Sequence, residues 1–123
     1  MAIGPYSQAT APFASGRPIY LSGQLGLLPK ANEKPVVIEG GIEAETSQAL
    51  ANIKVILETV HLTLADVLSV DVLLANMEDF GIMNKTYEKV FNHHKPARAT
   101  YAVAQLPMGA KIEIKVIAWQ SAL

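Results

Sequence analysis

The clearest periodic segment of the chain begins at Ile42. Apolar residues then recur at spacings of three and four, with polar residues interleaved among them. The apolar set is Leu50, Ile53, Leu57 and Val60, and the polar set includes Glu43, Glu45, Gln48 and Lys54. This pattern predicts an amphipathic helix from Ile42 to about Val60, and the acidic residues at its start suit the helix dipole.

A second helical pattern runs from about Met77 to His93. Its apolar stripe consists of Phe80, Met83, Tyr87, Val90 and Phe91. Pro96 prevents further continuation, because proline lacks a backbone N–H and disfavours helical geometry in the residue before it.

Five segments have the composition of strands. They are residues 18–28, 36–38, 67–75, 98–106 and 111–120. Gly40-Gly41 closes a hairpin-like region after the second of these, and the loop PMGA, residues 107–110, predicts a hairpin between the last two. The order ββ-α-β-α-ββ predicts one α+β domain over residues 1–123, with two helices covering one face of a mixed sheet.

The last predicted strand indicates what covers the other face of the sheet. Ile112, Ile114, Val116 and Ala118 alternate with Lys111, Glu113, Lys115, Ile117 and Trp119. The second set begins with charged residues but ends in large apolar ones. A two-layer monomer would leave these apolar residues exposed to solvent. We therefore expect another subunit to cover that end.

Composition agrees with buried surface between subunits. Half of the 123 residues are hydrophobic and only 17% are charged, so a small monomer has too little interior to hide them all. The net charge of −1 and the lack of a basic run disfavour nucleic acid as a partner. The chain has no cysteine, which excludes disulfides and thiolate catalysis.

The segment MAIGPYSQAT has no basic or long apolar region of a secretory signal, and no later stretch is apolar over the length of a membrane span. These features predict a soluble protein without a membrane partner. The expected location is the cytoplasm, with an organelle left open.

Two charged residues are the main candidates for chemistry. Arg98, in HKPARATY, starts a predicted strand; it is either a surface residue or a clamp for a carboxylate, whose two oxygens match the planar guanidinium donors. Glu113 lies on the side of its strand away from Ile112 and Ile114; it is either on a solvated face, paired with a neighbouring lysine, or a general acid/base that holds a water molecule.

The predicted hairpin gives these two residues a geometry. Arg98 falls opposite Trp119 and Glu113 opposite Ala104, so that both charges share a face about 20 Å apart. A small substrate cannot bridge that distance. Either the two residues are unrelated, or a pocket between subunits takes Arg98 from one chain and Glu113 from the next.

Three other features are weaker candidates. Tyr6 follows Gly4-Pro5 in GPYSQA and is either a packed turn residue or a site residue. The Ser22-Gly23 pair interrupts an apolar strand and marks either a β-bulge or a close approach of a ligand. The His93-His94 pair suggests a metal site. However, adjacent residues on a helix point in different directions, and no carboxylate or cysteine lies at a spacing from them that is typical of metal ligands.

Several motifs together resemble one known family. They are GPYSQA, LSGQLGL, QALANIKVIL, ADVLSVDVLLANMEDF, MNKTYEKVF and, above all, KPARATYAVAQLPMGAKIEIKVIAW. Across nearly the whole chain the sequence is similar to the RidA family (reactive intermediate deaminase A, the YjgF-type proteins).

The resemblance implies an α+β fold of the chorismate-mutase-like (bacillus) type and a homotrimer with clefts between subunits around a central barrel. It also implies cofactor-free hydrolysis of enamines and imines, such as 2-aminoacrylate and its imine tautomer released by pyridoxal-phosphate-dependent dehydratases, to 2-keto acids and ammonia. Arg98 then binds the carboxylate, Glu113 positions water and Tyr6 lies at the cleft. The residues matching the family's substrate-binding positions are Ser22, Gly23, Asn84 and Thr100.

The sequence departs from the family pattern at several places. Lys115 replaces the second acid of the usual IEIE, Thr100 stands where a cysteine is frequent, and the connection through His93-His94-Lys95 is short. Family members also carry an edge strand upstream of the position matching MAIGPYSQ. Two other functions stay open: an endoribonuclease or translation inhibitor, and a trimer that binds small keto acids without catalysis.

Overall fold

A computed structural model describes residues 4–30 and 32–122. Seven strands and two α-helices occur in these ranges. The strands are β1 (Gly16–Tyr20), β2 (Gln24–Leu25), β3 (Leu27–Leu28), β4 (Val36–Val37), β5 (Val67–Leu74), β6 (Ala97–Ala102) and β7 (Ile112–Ser121), and the helices are α1 (Gly41–Thr59) and α2 (Phe80–Val90). The predicted mixed α+β architecture is confirmed.

The main sheet has the strand order β1-β7-β5-β6, and β2 also pairs with β7. β7 runs antiparallel to β1, β2 and β5, whereas β5 and β6 are parallel. β3 and β4 form a separate antiparallel pair, which confirms the hairpin-like region before α1. α1, β5 and β7 begin and end within about one residue of the predicted bounds, because their periodic patterns are long and regular.

The core lies between the two helices and one face of this sheet, which we call the helix face. Alternate residues of β5 and β7 are essentially inaccessible there, and the predicted apolar stripe of α1 packs onto them. These buried residues include Val70, Val72, Leu74, Ile112, Ile114, Val116, Leu50, Ile53 and Leu57. The burial of Ile112, Ile114, Val116 and Ala118 confirms the alternation predicted for the last strand.

The opposite side of the sheet, which we call the open face, carries exposed apolar groups. Tyr20 on β1 is 68% exposed and Tyr101 on β6 is 46% exposed. Ile117 is the register partner of Tyr20, and both Ile117 and Trp119 are half-buried. The N-terminal segment reaches part of this face, since the indole of Trp119 donates a hydrogen bond to the Ala14 carbonyl at 2.8 Å.

The predicted hairpin between the last two strands is wrong. β6 ends at Ala102 and pairs with β5 instead of β7. The chain passes from β5 through α2 to a parallel strand, a crossover whose pairing depends on contacts distant in sequence. The connection from β6 to β7 includes a 3₁₀ turn, Pro107–Gly109, in which Met108 has a φ of 58°.

Two other predicted elements are interrupted. Residues 18–28 do not form one strand, because the chain leaves β7 after Leu25 and β3 pairs with β4. The second helix is α-helical only from Phe80 to Val90, after a 3₁₀ turn at Met77–Asp79. It ends before His93, and the imidazole of His94 bonds the Val67 carbonyl at 2.6 Å, which ties this connection to the sheet. No helix in the described ranges is long and apolar enough to cross a membrane.

Candidate active site

Arg98 lies on the edge strand β6, on the helix face of the sheet. Its register partner on β5 is the buried Val70. Its guanidinium carbon lies 4.9 Å from the ring centroid of Tyr87, 5.3 Å from that of Tyr6 and 5.8 Å from that of Phe80. Three aromatic rings therefore surround the cation, at distances typical of cation–π attraction.

The electrostatics of Arg98 favour an external anion. The guanidinium is half-buried, and no carboxylate within residues 4–30 and 32–122 forms a salt bridge with it. Burial lowers the pKa of Arg98, and Tyr87 and Tyr6 partly offset that effect. The group stays cationic at neutral pH, because guanidinium loses its proton only far above it. Its buried Nη1 has no hydrogen-bond partner among the described residues.

On β6 and α2, the elements that carry Arg98 and the neighbouring Tyr87, three more buried polar atoms lack such a partner. They are Oδ1 of Asn84, Oγ1 of Thr100 and the hydroxyl of Tyr87. Thr100 is two residues beyond Arg98 on the same face of β6, and Asn84 is one helical turn before Tyr87 on α2. Because buried polar groups are normally paired, this concentration indicates a place where a polar ligand or water binds.

A turn of the N-terminal segment holds Tyr6 beside Arg98. The amide of Tyr6 donates to the Gly4 carbonyl at 2.8 Å, and the amide of Ser7 donates to the Pro96 carbonyl at 3.1 Å. The Ser7 hydroxyl also donates to the Lys95 carbonyl. A Cβ on Gly4 would lie 3.2 Å from Nη2 of Arg98, so glycine permits this close approach. We call Tyr6, Asn84, Arg98 and Thr100 the arginine group.

Glu113 belongs to a second group on the open face. Its register partners are Leu73 on β5 and Leu25 on β2. The carboxylate lies directly over Gly23, where an added Cβ would be only 2.3 Å from Oε2 of Glu113. Ser22 precedes Gly23 and is exposed. We call Ser22, Gly23 and Glu113 the glutamate group.

The predicted relation between Arg98 and Glu113 is wrong in both face and register. Arg98 is level with Val70, and Glu113 is level with Leu73, three residues further along β5. They lie on opposite faces, since Val70 points into the core and Leu73 does not. Two strand spacings and three residues separate their backbones by roughly 14 Å. Within one chain the two charges therefore face different spaces, and Glu113 does not lie opposite Ala104.

Two aromatic residues beside Arg98 lie outside both groups and were not predicted as site residues. Tyr87 and Phe80 were predicted only as part of an apolar stripe, although both also contact Arg98. Burial raises the pKa of Tyr87 and the nearby Arg98 lowers it in part, so the phenol stays neutral at physiological pH. In the sequence, the position of Tyr87 one helical turn after Asn84 was the feature that could have indicated its place in the site.

A separate cavity of about 470 Å³ lies between residues 7–13 and the His93-His94-Lys95 connection. It contains no member of the arginine or glutamate group. Lys115 is exposed and its register partner is Asp71. Across the described residues Lys115 forms no salt bridge with Glu113.

The fold and the two groups define a class of protein: a small α+β chain with a cation among three aromatic rings on one face of its sheet and an acid beside a glycine on the other. The sequence model of the family named Endoribonuclease L-PSP matches residues 1–120. The chain belongs to this family, which includes the RidA and YjgF proteins.

Individual relatives extend over almost the whole chain. The 2-iminobutanoate/2-iminopropanoate deaminase of Mus musculus is 44% identical, covering 97% of this chain and 84% of the relative. The crystal structure of RidA from the Antarctic bacterium Psychrobacter is 37% identical, with a TM-score of 0.77, covering 98% of this chain and 92% of that one. The structure of E. coli TdcF with bound serine is 30% identical, with a TM-score of 0.76, covering 98% and 91%.

Proposed function

We propose that this chain is a 2-iminobutanoate/2-iminopropanoate deaminase, which hydrolyses reactive imino acids to 2-keto acids and ammonia. The observation that carries the proposal is the Arg98 guanidinium, caged by three rings and free of any carboxylate from the described part of its own chain. The deaminases of several mammals at 42–44% identity support it.

The arginine group supplies the binding half of the site. The guanidinium donates two parallel hydrogen bonds to the substrate carboxylate. Asn84 and Thr100 have buried oxygens that find no hydrogen-bond partner in the described part of the chain, and they contact the polar end of the substrate. The rings of Tyr6, Phe80 and Tyr87 exclude water around the ion pair and so strengthen it.

The glutamate group supplies the acid/base half. Glu113 takes a proton from water as the water oxygen forms a bond to the imine carbon, and the C=N π electrons move to nitrogen. The nitrogen receives that proton back from Glu113, which gives the neutral carbinolamine. Glu113 then takes the hydroxyl proton as the C=O bond forms and passes it to the nitrogen, so that the C–N bond breaks and ammonia leaves. An enamine substrate first gains a proton on carbon and loses one from nitrogen to give the imine.

Both halves meet only if two subunits share the site. Because Arg98 and Glu113 face opposite sides of one sheet, a three- or four-carbon acid cannot touch both within a chain. We propose a homotrimer in which the open faces pack together and each cleft combines the arginine group of one subunit with the glutamate group of the next. The exposed apolar groups Tyr20 and Tyr101 support such packing.

RNA cleavage is the activity in the name of the matched family, and we place it second. The formal net charge is −1, whereas binding to the phosphate backbone depends on many basic contacts. No basic run in the sequence supplies them.

A coupled assay tests the proposed function. A pyridoxal-phosphate-dependent dehydratase acting on serine or threonine generates the imino acid, and semicarbazide competes for it. Wild-type protein is expected to lower semicarbazone formation in favour of keto acid, and Arg98→Ala is expected to lose this effect. No acceleration by wild type, or equal acceleration by Arg98→Ala, refutes the proposal.

A further inference from the structure

A row of polar side chains on α1 faces the sheet. Glu45, Gln48 and Asn52 recur three and four residues apart, so they share one side of the helix. Glu45 is only 4% exposed, and Gln48 and Asn52 are half-buried. We call these three residues the α1 polar stripe. The amphipathic pattern assigned Glu45 to the polar side of the helix, and its burial corrects that assignment.

Glu45 is tied to the start of β7. Its Oε1 accepts a hydrogen bond of 2.8 Å from the backbone N–H of Lys111, which directly precedes β7 and lies two residues before Glu113. The backbone of Gly26 also packs against Glu45, where an added Cβ would be 2.7 Å from the Glu45 Cα. Glu45 therefore contacts the residue directly before β7, which carries Glu113, and the residue directly after β2.

Asn52 holds the same region from the other end of the stripe. Its side-chain amide donates to the carbonyl of Leu27 at 2.8 Å and, more weakly, to that of Leu25 at 3.4 Å. The side chain of Gln48 in turn donates to Oδ1 of Asn52 at 2.9 Å. Leu25 is the register partner of Glu113, so Asn52 fixes the strand against which Glu113 pairs.

Gly23 leaves the Glu113 carboxylate little freedom. The carboxylate already lies so close that an added Cβ at Gly23 would overlap Oε2, Cδ and Cγ of Glu113 at 2.3, 2.7 and 3.0 Å. Any shift of β7 relative to the segment around Gly23 therefore changes the position of the acid.

We propose that Glu45 is a positioning residue for the deamination. Its hydrogen bond with the Lys111 N–H fixes the position of β7 relative to α1, and the hydrogen bonds of Asn52 fix the position of β2. Together these contacts keep the Glu113 carboxylate at the place from which it activates water. Glu45 itself does not reach the open face. This inference rests on the proposed function, because it assigns Glu113 the acid/base step.

Three variants separate this role from simple support of the fold. Glu45→Leu removes the acceptor for the Lys111 N–H, and Glu45→Gln retains an oxygen that accepts it. Glu43→Leu makes the same change at an exposed position of the same helix. Each is measured for kcat in the coupled assay, for the Kd of pyruvate, the product keto acid, and for thermal stability.

We expect Glu45→Leu to lower kcat about 10- to 100-fold, because displacement of a catalytic group by about 1 Å costs that much. Its Kd for pyruvate should stay within about twofold, because Arg98 provides most of that binding. Glu45→Gln and Glu43→Leu should retain wild-type kcat. A wild type without activity refutes the proposed function itself. With an active wild type, a Glu45→Leu variant that loses only stability, or loses kcat and pyruvate binding together, overturns the positioning role.

Asn52→Ala provides an independent arm if Glu45→Leu does not fold. It removes the donors to Leu25 and Leu27 and leaves the Glu45 hydrogen bond in place. The expected result is again a lower kcat with pyruvate binding retained, and wild-type kcat in this variant contradicts the inference.

Discussion

The close approach of Gly23 to Glu113 allows a sharp prediction for a single methyl group. In Gly23→Ala the new Cβ would lie 2.3 Å from Oε2 and 2.7 Å from Cδ of Glu113. Ordinary contacts need about 3.5 Å or more, so the carboxylate must retreat by roughly 1 Å. A displacement of that size lowers the rate about 100-fold, which corresponds to about 2.7 kcal/mol in activation free energy.

The same substitution should hardly change stability. The atoms in the way are the far end of a half-buried side chain, and a rotamer displacement costs about 0.5–1.5 kcal/mol. Alanine offsets this by about 0.4–1 kcal/mol, because it reduces the entropy of the unfolded chain. The free energy of unfolding should therefore stay within about 1 kcal/mol of wild type.

The assay measures kcat with a coupled dehydratase, and the control is Gly81→Ala. Apart from its chain neighbours and the backbone of α2, no atom of the described residues lies within 4 Å of a Cβ built at Gly81, so this variant should keep full activity. A Gly23→Ala protein with wild-type kcat would refute the assignment of Glu113 to the acid/base step. A protein with large losses of both stability and pyruvate binding would show that the methyl group disturbs more than the carboxylate.

Two further predictions concern the phenol beside Arg98 and the open face. Burial raises the pKa of Tyr87 above its ordinary value of 10.0, so the stability that the protonated phenol contributes is complete below about pH 10 and is lost as the pH rises toward the pKa of the folded state. In urea denaturation, Tyr87→Phe should therefore lose less stability than wild type between about pH 9 and 11. An equal loss in the two proteins would contradict this prediction. Ile117→Glu should dissociate the proposed trimer, as measured by light scattering, because it places a charge at a half-buried position of the open face. The control Val55→Glu, at a position of α1 that is 60% exposed, should leave the trimer intact. An Ile117→Glu protein that stays trimeric would place the interface elsewhere.

Local pattern predicted the elements much better than their pairing. The periodicity of α1 and the alternation of β5 and β7 give their bounds and buried faces, because both depend on neighbouring residues in the chain. The partner of β6 depends on the crossover through α2, and nothing local distinguishes β5 from β7 as its neighbour. That error alone placed Arg98 and Glu113 on the same face.

The site was predictable where a residue type suggests its chemistry. Arg98 was singled out because its guanidinium suits a carboxylate, and its aromatic surroundings agree with that role. Glu45 was not, because a glutamate in an amphipathic helix is normally solvated, and its burial depends on the position of Lys111 in the folded sheet. The inference that two chains share the site remains, but its physical reason changes. Arg98 and Glu113 lie on opposite faces of the sheet, whereas the sequence argument placed them about 20 Å apart on one face.

The most direct test of a shared site is complementation between two inactive variants. Arg98→Ala and Glu113→Gln each remove one half of every cleft, so neither homotrimer should be active. Coexpressed chains that assemble at random should restore Arg98 and Glu113 together in about one quarter of the clefts, and the mixed trimers should show about that fraction of wild-type kcat. Mixed trimers with no more activity than the separate variants would contradict a cleft built from two subunits.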